Sequence, residues 1–421
     1  MTVASRSKRS SRSEPMGDLV DRRGAPGLIG VVGAGTMGAG ISQLALEAGH
    51  RVLLYDVDAA AIDRGRARIR DGLARRARRL DLDPPAAEAW IEDRVRRVAA
   101  ASTLRDLAAG GPEVVVEAAL EDLEAKRAIF RTLDATTAPD TILATNTSAL
   151  SVSEIAGTSS RPERILGLHF FNPAPVMPLV EVVITSAADP VIADRAIELM
   201  TTWGKVPVRC ADTPGFIVNR VNRPFTLEAL AILAGGEASV QVIDDAVRAD
   251  GLPMGPFELM DLVGLDINLA AARGVFARFV AAGDPLAERF RPSPIQEDLV
   301  AAGQLGRKTN KGFYAYDEGG ALVGPAPAFA AGDDRPDQAS HADIARRIML
   351  AVINEAYRAA GDGIASRSDI DLAMRLGAGH PVGPFEQVAG QGGPNAIRDE
   401  LRAYAAAGPR FDPARALLFG A

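Results

Sequence analysis

Hydrophobic positions follow two rhythms along this chain, and the change between them falls near residue 211. In the first part, short apolar runs alternate with stretches at helical spacing. The run Leu28-Ile29-Gly30-Val31-Val32 ends in glycines, as a strand buried on both faces should. Residues 37–49 continue with helical spacing and stop at Gly49, and Arg51-Val52-Leu53-Leu54-Tyr55-Asp56 reads as a second strand. Strand, helix and strand within about 30 residues make a right-handed βαβ unit. Residues 59–100 are helical and arginine-laden, broken at Asp83-Pro84-Pro85, which predicts a helical hairpin inserted after the second strand. Further strands are expected at 114–117, 142–145, 165–169 and 180–185, with helices between them. This alternation predicts a doubly wound α/β sheet of Rossmann type. From Pro214 onward the pattern is almost entirely helical, with no convincing strand.

The helical part repeats itself. Glu228-Ala229, Ile243-Asp244 and Gly255-Pro256-Phe257-Glu258 recur in order as Glu355-Ala356, Ile370-Asp371 and Gly383-Pro384-Phe385-Glu386. The spacing from Glu228 to Asp244 equals that from Glu355 to Asp371, after which the second copy carries one extra residue. A Gly/Ala/Pro-rich stretch separates the copies. The expected organisation is therefore a disordered extension at 1–26, a Rossmann domain with its hairpin at 27–211, and a first helical domain at 212–317. A linker at 318–338 and a second helical domain at 339–421 follow.

Composition narrows the function. With 421 residues, several domains are expected, and 47% hydrophobic with 24% charged residues describes an ordinary globular chain. A net charge of −7 offers no basic surface for nucleic acid. No apolar stretch reaches the length of a membrane span, and the Ser- and Arg-rich first 25 residues lack the apolar core of a secretory signal. Cys210 is the only cysteine, which excludes an internal disulfide and a cysteine-cluster metal site; a reducing, cytoplasmic home is expected.

Gly33-Ala34-Gly35-Thr36-Met37-Gly38 has the G-x-G-x-x-G form, placed after a strand and opening a helix as dinucleotide binding requires. Gly33 permits the tight turn, Gly35 lets a pyrophosphate approach the backbone, and Gly38 lets helix and strand pack closely. The helix N-terminus then faces the diphosphate. Asp56 ends the second strand, where an acidic side chain meets the adenosine ribose hydroxyls; its charge, with no arginine directly after it, favours NAD over NADP.

Only four histidines occur, His50, His169, His341 and His380. His169 ends an apolar strand and enters the loop Asn172-Pro173-Ala174-Pro175, and Glu181 stands within the next apolar strand. A carboxylate there is costly without a partner, and a His–Glu pair would supply one while fixing the imidazole tautomer. From the residues alone, a core histidine with an edge-facing glutamate is an equally good reading. His380 reads as structural.

Successive segments decide between them by resemblance. VVVEAALEDLEAK at 114–126, NTSAL at 146–150, GLHFFNPAPVMPLVEVV at 167–183 and PGFIVNRVN at 214–222 resemble, with the glycine-rich segment at 32–40, the ordered motifs of 3-hydroxyacyl-CoA dehydrogenases. LPMGPFELMDLVGLD at 252–266 and GRKTNKGFYAY at 306–316 extend the likeness, and the second helical copy carries it to about residue 415.

The resemblance implies two all-α domains like the C-terminal domain of 6-phosphogluconate dehydrogenase behind the Rossmann domain. It implies that His169 is the catalytic histidine, Glu181 its carboxylate partner, and Ser148 and Asn219 the contacts of the reacting oxygen. For NAD, it implies contacts from the Gly33–Gly38 loop with Thr36 and Met37, from Asn146, and from Glu121 and Lys126 on the nicotinamide side. Ala149 departs from the pattern, standing where a second serine is common. The substrate is expected to be an acyl-CoA thioester, its phosphates met by Arg75, Arg76 and Arg79, with Arg78 beside them, although an arginine run is often only a solvated helix face. 3-Hydroxybutyryl-CoA is the first expectation and 3-hydroxyadipyl-CoA the second. A dehydrogenase of free hydroxy acids and a catalytically silent NAD-binding protein are the rivals. The second helical copy is expected to pack on the first and mimic within one chain the dimer of single-copy members.

Overall fold

The computed structural model describes residues 27–330 and 340–419. The expected extension at 1–26, and part of the expected linker, lie outside them. The chain opens with β1 (Leu28–Val32), α1 (Thr36–Glu47), β2 (Arg51–Tyr55), the hairpin helices α2 (Ala59–Arg79) and α3 (Pro84–Val95), and β3 (Val98–Ala100). Asp83 caps α3 by accepting from the Ala86 N–H, and Pro84 and Pro85 occupy the first turn, so the break expected there is a helix start. Next come α4 (Leu104–Ala109), β4 (Val114–Glu117), α5 (Leu123–Thr136), β5 (Ile142–Thr145), α6 (Val152–Ala156), β6 (Ile165–Phe170), β7 (Leu179–Ile184), α7 (Pro190–Thr202) and β8 (Val206–Ala211).

The eight strands lie in the order β3-β2-β1-β4-β5-β6-β7-β8, parallel except for the antiparallel β6–β7 pair. The chain reverses direction of growth between β1 and β4, the switch point where open α/β sheets bind ligands. Alternate side chains feed two separate cores: Ile29 and Val31 pack with α1 and α2 residues, whereas Val32 packs on the other face with Phe130 and Leu133. Two strands are not announced by the apolar pattern. β3 has three residues, and β8 contains Pro207, which the sheet tolerates because β8 is its edge strand.

Beyond the sheet come α8 (Val218–Val221), α9 (Arg223–Ala234), α10 (Val240–Ala249), α11 (Pro256–Val263), α12 (Leu265–Ala281) and α13 (Pro294–Ala301). The expectation of no strand past 214 is corrected by an antiparallel ribbon, β9 (Tyr314–Tyr316) with β10 (Leu322–Pro325), followed by α14 (Pro327–Ala330). The Asp261 carboxylate pins it by accepting the Phe313 and Tyr314 N–H groups (3.0 and 2.9 Å). An aromatic run only three residues long carries too little periodicity to show against its helical surroundings.

The second copy is α15 (His341–Gly361), α16 (Arg367–Gly377), α17 (Pro384–Gly390), α18 (Gly393–Ala403) and α19 (Arg415–Phe419). The repeat has a physical basis. Asp244 accepts the Phe257 and Glu258 N–H groups at the start of α11, and Asp371 accepts the Phe385 and Glu386 N–H groups at the start of α17. Each Asp thus satisfies orphan donors of the helix that begins with Gly-Pro-Phe-Glu.

The two glutamates of the repeat sit between the copies. Arg220 Nε donates to Glu355 (2.7 Å), and Arg347 Nε donates to Glu228 (2.7 Å). Arg220 precedes Glu228 by eight residues, as Arg347 precedes Glu355, so each copy supplies the cation for the other's carboxylate. Arg289 and Arg410 complete the same two clusters. Such reciprocity is what a two-fold interface produces. His380 adds a neutral link: its Nε2 bonds Asn222 (2.9 Å), and burial pushes its pKa down to about 4. Among the described residues, no helix is long and apolar enough to cross a membrane.

Candidate active site

The glycine loop takes the form its residues dictate. Gly33 has φ +99°, and a Cβ there would sit 2.5 Å from the Ala118 carbonyl oxygen at the end of β4. A Cβ on Gly38 would collide with the Gly33 carbonyl oxygen, whereas one on Gly35 would meet nothing within 4 Å. The space above Gly35 is thus open where a diphosphate would approach. The first turn of α1 has no acidic residue, and no side chain caps it, which leaves its N–H groups for an anion. Thr36 is exposed and Met37 half-buried beside them. Asp56 accepts the Ala34 N–H (2.7 Å) and the Asp58 N–H (3.0 Å), so its carboxylate is fixed at the loop's edge.

Across the switch point, a carboxylate network shapes the 146–150 loop. Lys126 is buried and donates to both oxygens of Glu117 (2.7 and 2.9 Å), and Glu117 also accepts from the Thr145 hydroxyl (2.7 Å). On its other side Lys126 lies 3.3 Å from Glu121. Glu121 in turn accepts from the Thr147 hydroxyl (2.5 Å) and the Ser148 N–H (2.9 Å). Asn146 Oδ1 accepts the Phe170 N–H (2.9 Å), tying this loop to β6 one residue from His169.

His169 and Glu181 face each other directly in the β6–β7 ladder. His169 Nδ1 lies 2.6 Å from Glu181 Oε2, and Glu181 Oε1 accepts the Ile217 and Val218 N–H groups (3.0 and 2.8 Å). Four constraints follow from that arrangement. The carboxylate is satisfied although it has no solvent exposure. The carboxylate takes the proton side of Nδ1, which leaves the Nε2 lone pair pointing outward. That Nε2 lies 3.2 Å from the Ser148 hydroxyl. The Phe171 and Phe216 rings, at 4.6 and 5.6 Å, hold the imidazole plane. Asn219 Nδ2 reaches the Ser148 carbonyl oxygen at 3.4 Å, so His169, Glu181, Ser148 and Asn219 are brought together.

Three contributions escape a reading of the sequence. Lys205, at the foot of β8, is buried and donates to the Ala174 and Met177 carbonyls (2.5 and 2.7 Å), pinning the loop between His169 and Glu181. Burial pushes its pKa down to about 8, opposed by Glu47. Arg278 of α12 donates to the Ala149 carbonyl (3.2 Å), and a Cβ on Gly377 of the second copy would press on Leu179 and Val218. A lysine or glycine among apolar neighbours is the sole signal of the first and third, and neither names its partner.

A cavity of about 310 Å³ opens between α1, α2 and the 172–176 loop, lined by Arg75, Arg76 and Arg79 among others. Arg78, exposed, lies outside its lining. Arg76 is 3.4 Å from Glu47. Among the described residues, no group of three His, Cys, Asp or Glu could hold a metal ion.

The family model of the 3-hydroxyacyl-CoA dehydrogenase NAD-binding domain matches residues 28–213. That of the 3-hydroxyacyl-CoA dehydrogenase C-terminal domain matches twice, at 215–316 and 344–417. A 3-hydroxyadipyl-CoA dehydrogenase of Escherichia coli is 37% identical, over 85% of this chain and 89% of its own length. A 3-hydroxybutyryl-CoA dehydrogenase of Clostridioides difficile is 39% identical, over 69% of this chain and 99% of its own. The crystal structure of a 3-hydroxybutyryl-CoA dehydrogenase from Escherichia coli superposes with a TM-score of 0.80 at 35% identity, covering 93% of this chain and 98% of that one. The Rossmann sheet followed by two matches to one helical domain makes this chain a member of the 3-hydroxyacyl-CoA dehydrogenase family, an oxidoreductase whose cofactor is NAD.

Proposed function

We propose that this chain catalyses the reversible oxidation of short (S)-3-hydroxyacyl-CoA thioesters to 3-oxoacyl-CoA, with NAD reduced to NADH and one proton released. The observation that carries this reading is the His169–Glu181 pair, with Nε2 turned toward Ser148. Bound NAD supplies the hydride acceptor. His169 Nε2 takes the 3-hydroxyl proton, and the imidazolium so formed is stabilised by the Glu181 carboxylate, which two backbone N–H donors hold in place. Ser148 and Asn219 hold the reacting oxygen in line with Nε2. In the reverse direction the imidazolium returns the proton to the 3-keto oxygen.

At the cofactor, Asp56 would accept from the adenosine ribose hydroxyls and disfavour a 2′-phosphate. Glu121 and Lys126 act as a unit, the exposed carboxylate facing the nicotinamide side and the buried ammonium holding it. Asn146, which ties the 146–150 loop to β6, meets the cofactor from that loop. The lone buried Cys210 fits a cytoplasmic enzyme. The reciprocal Arg–Glu clusters support reading the two helical copies as the internal counterpart of a two-subunit interface.

The arginine-lined cavity suits the CoA phosphates. Replacing Arg75, Arg76 and Arg79 together with glutamine is expected to raise KM for acetoacetyl-CoA about tenfold or more while KM for NADH stays within twofold. Steady-state kinetics at low ionic strength would check this; an unchanged thioester KM would move CoA away from this cavity. Of the acyl groups, 3-hydroxybutyryl is the first reading, and 3-hydroxyadipyl is the second, favoured by the Escherichia coli relative of that name that matches 85% of this chain.

A further inference from the structure

Four arginines are buried among the described residues: Arg164, Arg220, Arg223 and Arg289. Three have carboxylate partners, Asp134 for Arg164 and Glu355 for both Arg220 and Arg289. Arg223 is the exception. Among the described residues, its Nε has no hydrogen-bond partner, and its Nη1 makes only a long bond (3.4 Å) to the Asn268 amide oxygen. Burial alone pushes its pKa down to about 10, with no acidic group opposing the shift. A desolvated cation left in this state costs stability, and such a cost persists where an incoming anion repays it.

Its position says which anion. Arg223 opens α9, four residues beyond Asn219, whose amide reaches the Ser148 carbonyl. Asn268, its neighbour, lies on α12 and is held by Gln296 (3.0 Å). The same α12 braces the 146–150 loop, since Arg278 bonds the Ala149 carbonyl and a Cβ on Gly274 would lie 3.5 Å from that of Ala149. Arg223 thus follows Asn219 by four residues, and its neighbour Asn268 shares α12 with Gly274 and Arg278, which brace the loop carrying Ser148 opposite His169. The CoA end of the substrate is assigned to the α1–α2 cavity, so the end approaching from the helical domain is the acyl tail.

We propose that Arg223 binds a carboxylate at the far end of the acyl chain, so that this enzyme acts on thioesters of dicarboxylic 3-hydroxy acids. This rests on the dehydrogenase reading of the site and selects its second acyl group over the first. A six-carbon diacid carries its free carboxylate three bonds beyond the reacting carbon, and the guanidinium fork matches a carboxylate in a way an ammonium does not. A neutral four-carbon chain would leave the cation unpaired.

The test compares acetoacetyl-CoA with 3-oxoadipyl-CoA, using NADH, in the wild type, Arg223→Met and Arg223→Lys. Arg223→Met is expected to lower kcat/KM for 3-oxoadipyl-CoA about a hundredfold, with acetoacetyl-CoA changed by less than about threefold. Arg223→Lys should fall between, and the melting temperature of Arg223→Met should stay level or rise. An equal loss on both substrates, or a lowered melting temperature with unchanged preference, would make Arg223 a structural residue and overturn the proposal. A wild type that reduces acetoacetyl-CoA but not 3-oxoadipyl-CoA would overturn it while leaving the dehydrogenase reading intact. A wild type that reduces neither would remove both.

Discussion

Replacing His169 with alanine is expected to lower kcat with acetoacetyl-CoA and NADH by about 10²–10⁴-fold, the usual contribution of a positioned general acid or base. The loss should appear in kcat rather than in cofactor binding, because His169 sits on β6 and the glycine loop follows β1, with two strands, β4 and β5, between them in the sheet. NADH fluorescence titration should therefore give the wild-type affinity. The size of the effect reflects how completely the site commits to one proton path. Nε2 is the imidazole nitrogen left free once Glu181 holds Nδ1, and Ser148 stands at hydrogen-bond distance from it. A variant with undiminished kcat would refute the role of His169.

The second large effect concerns stability. Glu355→Ala would strip the shared carboxylate from Arg220 and Arg289, whose relative exposures are 1% and 2%. Removing one partner of a buried ion pair leaves an uncompensated charge and costs about 3–5 kcal/mol. Asp362 and Asp284 each retain one bond to these arginines, which places the expected loss toward the lower end. The pseudo-equivalent Glu228→Ala should cost less, because Arg347 keeps Glu237 and the side chains of Arg347 and Arg410 are each 13% exposed. Chemical denaturation of the two variants, compared side by side, measures both. A loss below about 1 kcal/mol for Glu355→Ala would mean that solvent already screens the cluster.

How much of this was legible in the sequence depends on the reach of each interaction. The glycine loop was readable because its geometry is local: a positive φ, a close approach and an open face within six residues. Apart from the family resemblance, the His169–Glu181 pair was visible only as two oddities that an ordinary core could also explain. What settles their contact is the β6–β7 register, and the connection between those strands, residues 171–178, is too long for turn chemistry to fix that register. The repeat was legible as a pattern, but not the reason for it, since Asp244 and Asp371 act on N–H groups 13 to 15 residues away. Arg220 and Glu355 are 135 residues apart, and nothing local in either marks the other. Lys205 and Arg223 are similar: each looks like any other cation until the fold buries it. The ribbon at β9 and β10 was missed for the opposite reason, a true strand too short to have a period.

The most direct measurement is NADH oxidation by the purified protein, with acetoacetyl-CoA, 3-oxoadipyl-CoA and free acetoacetate tested in parallel. The predicted result is turnover of the thioesters, with 3-oxoadipyl-CoA the better substrate by kcat/KM, and none of the free acid. Turnover of the free acid alone would contradict the thioester assignment. Silence from all three, with NADH still bound, would leave a catalytically silent NAD-binding protein in its place.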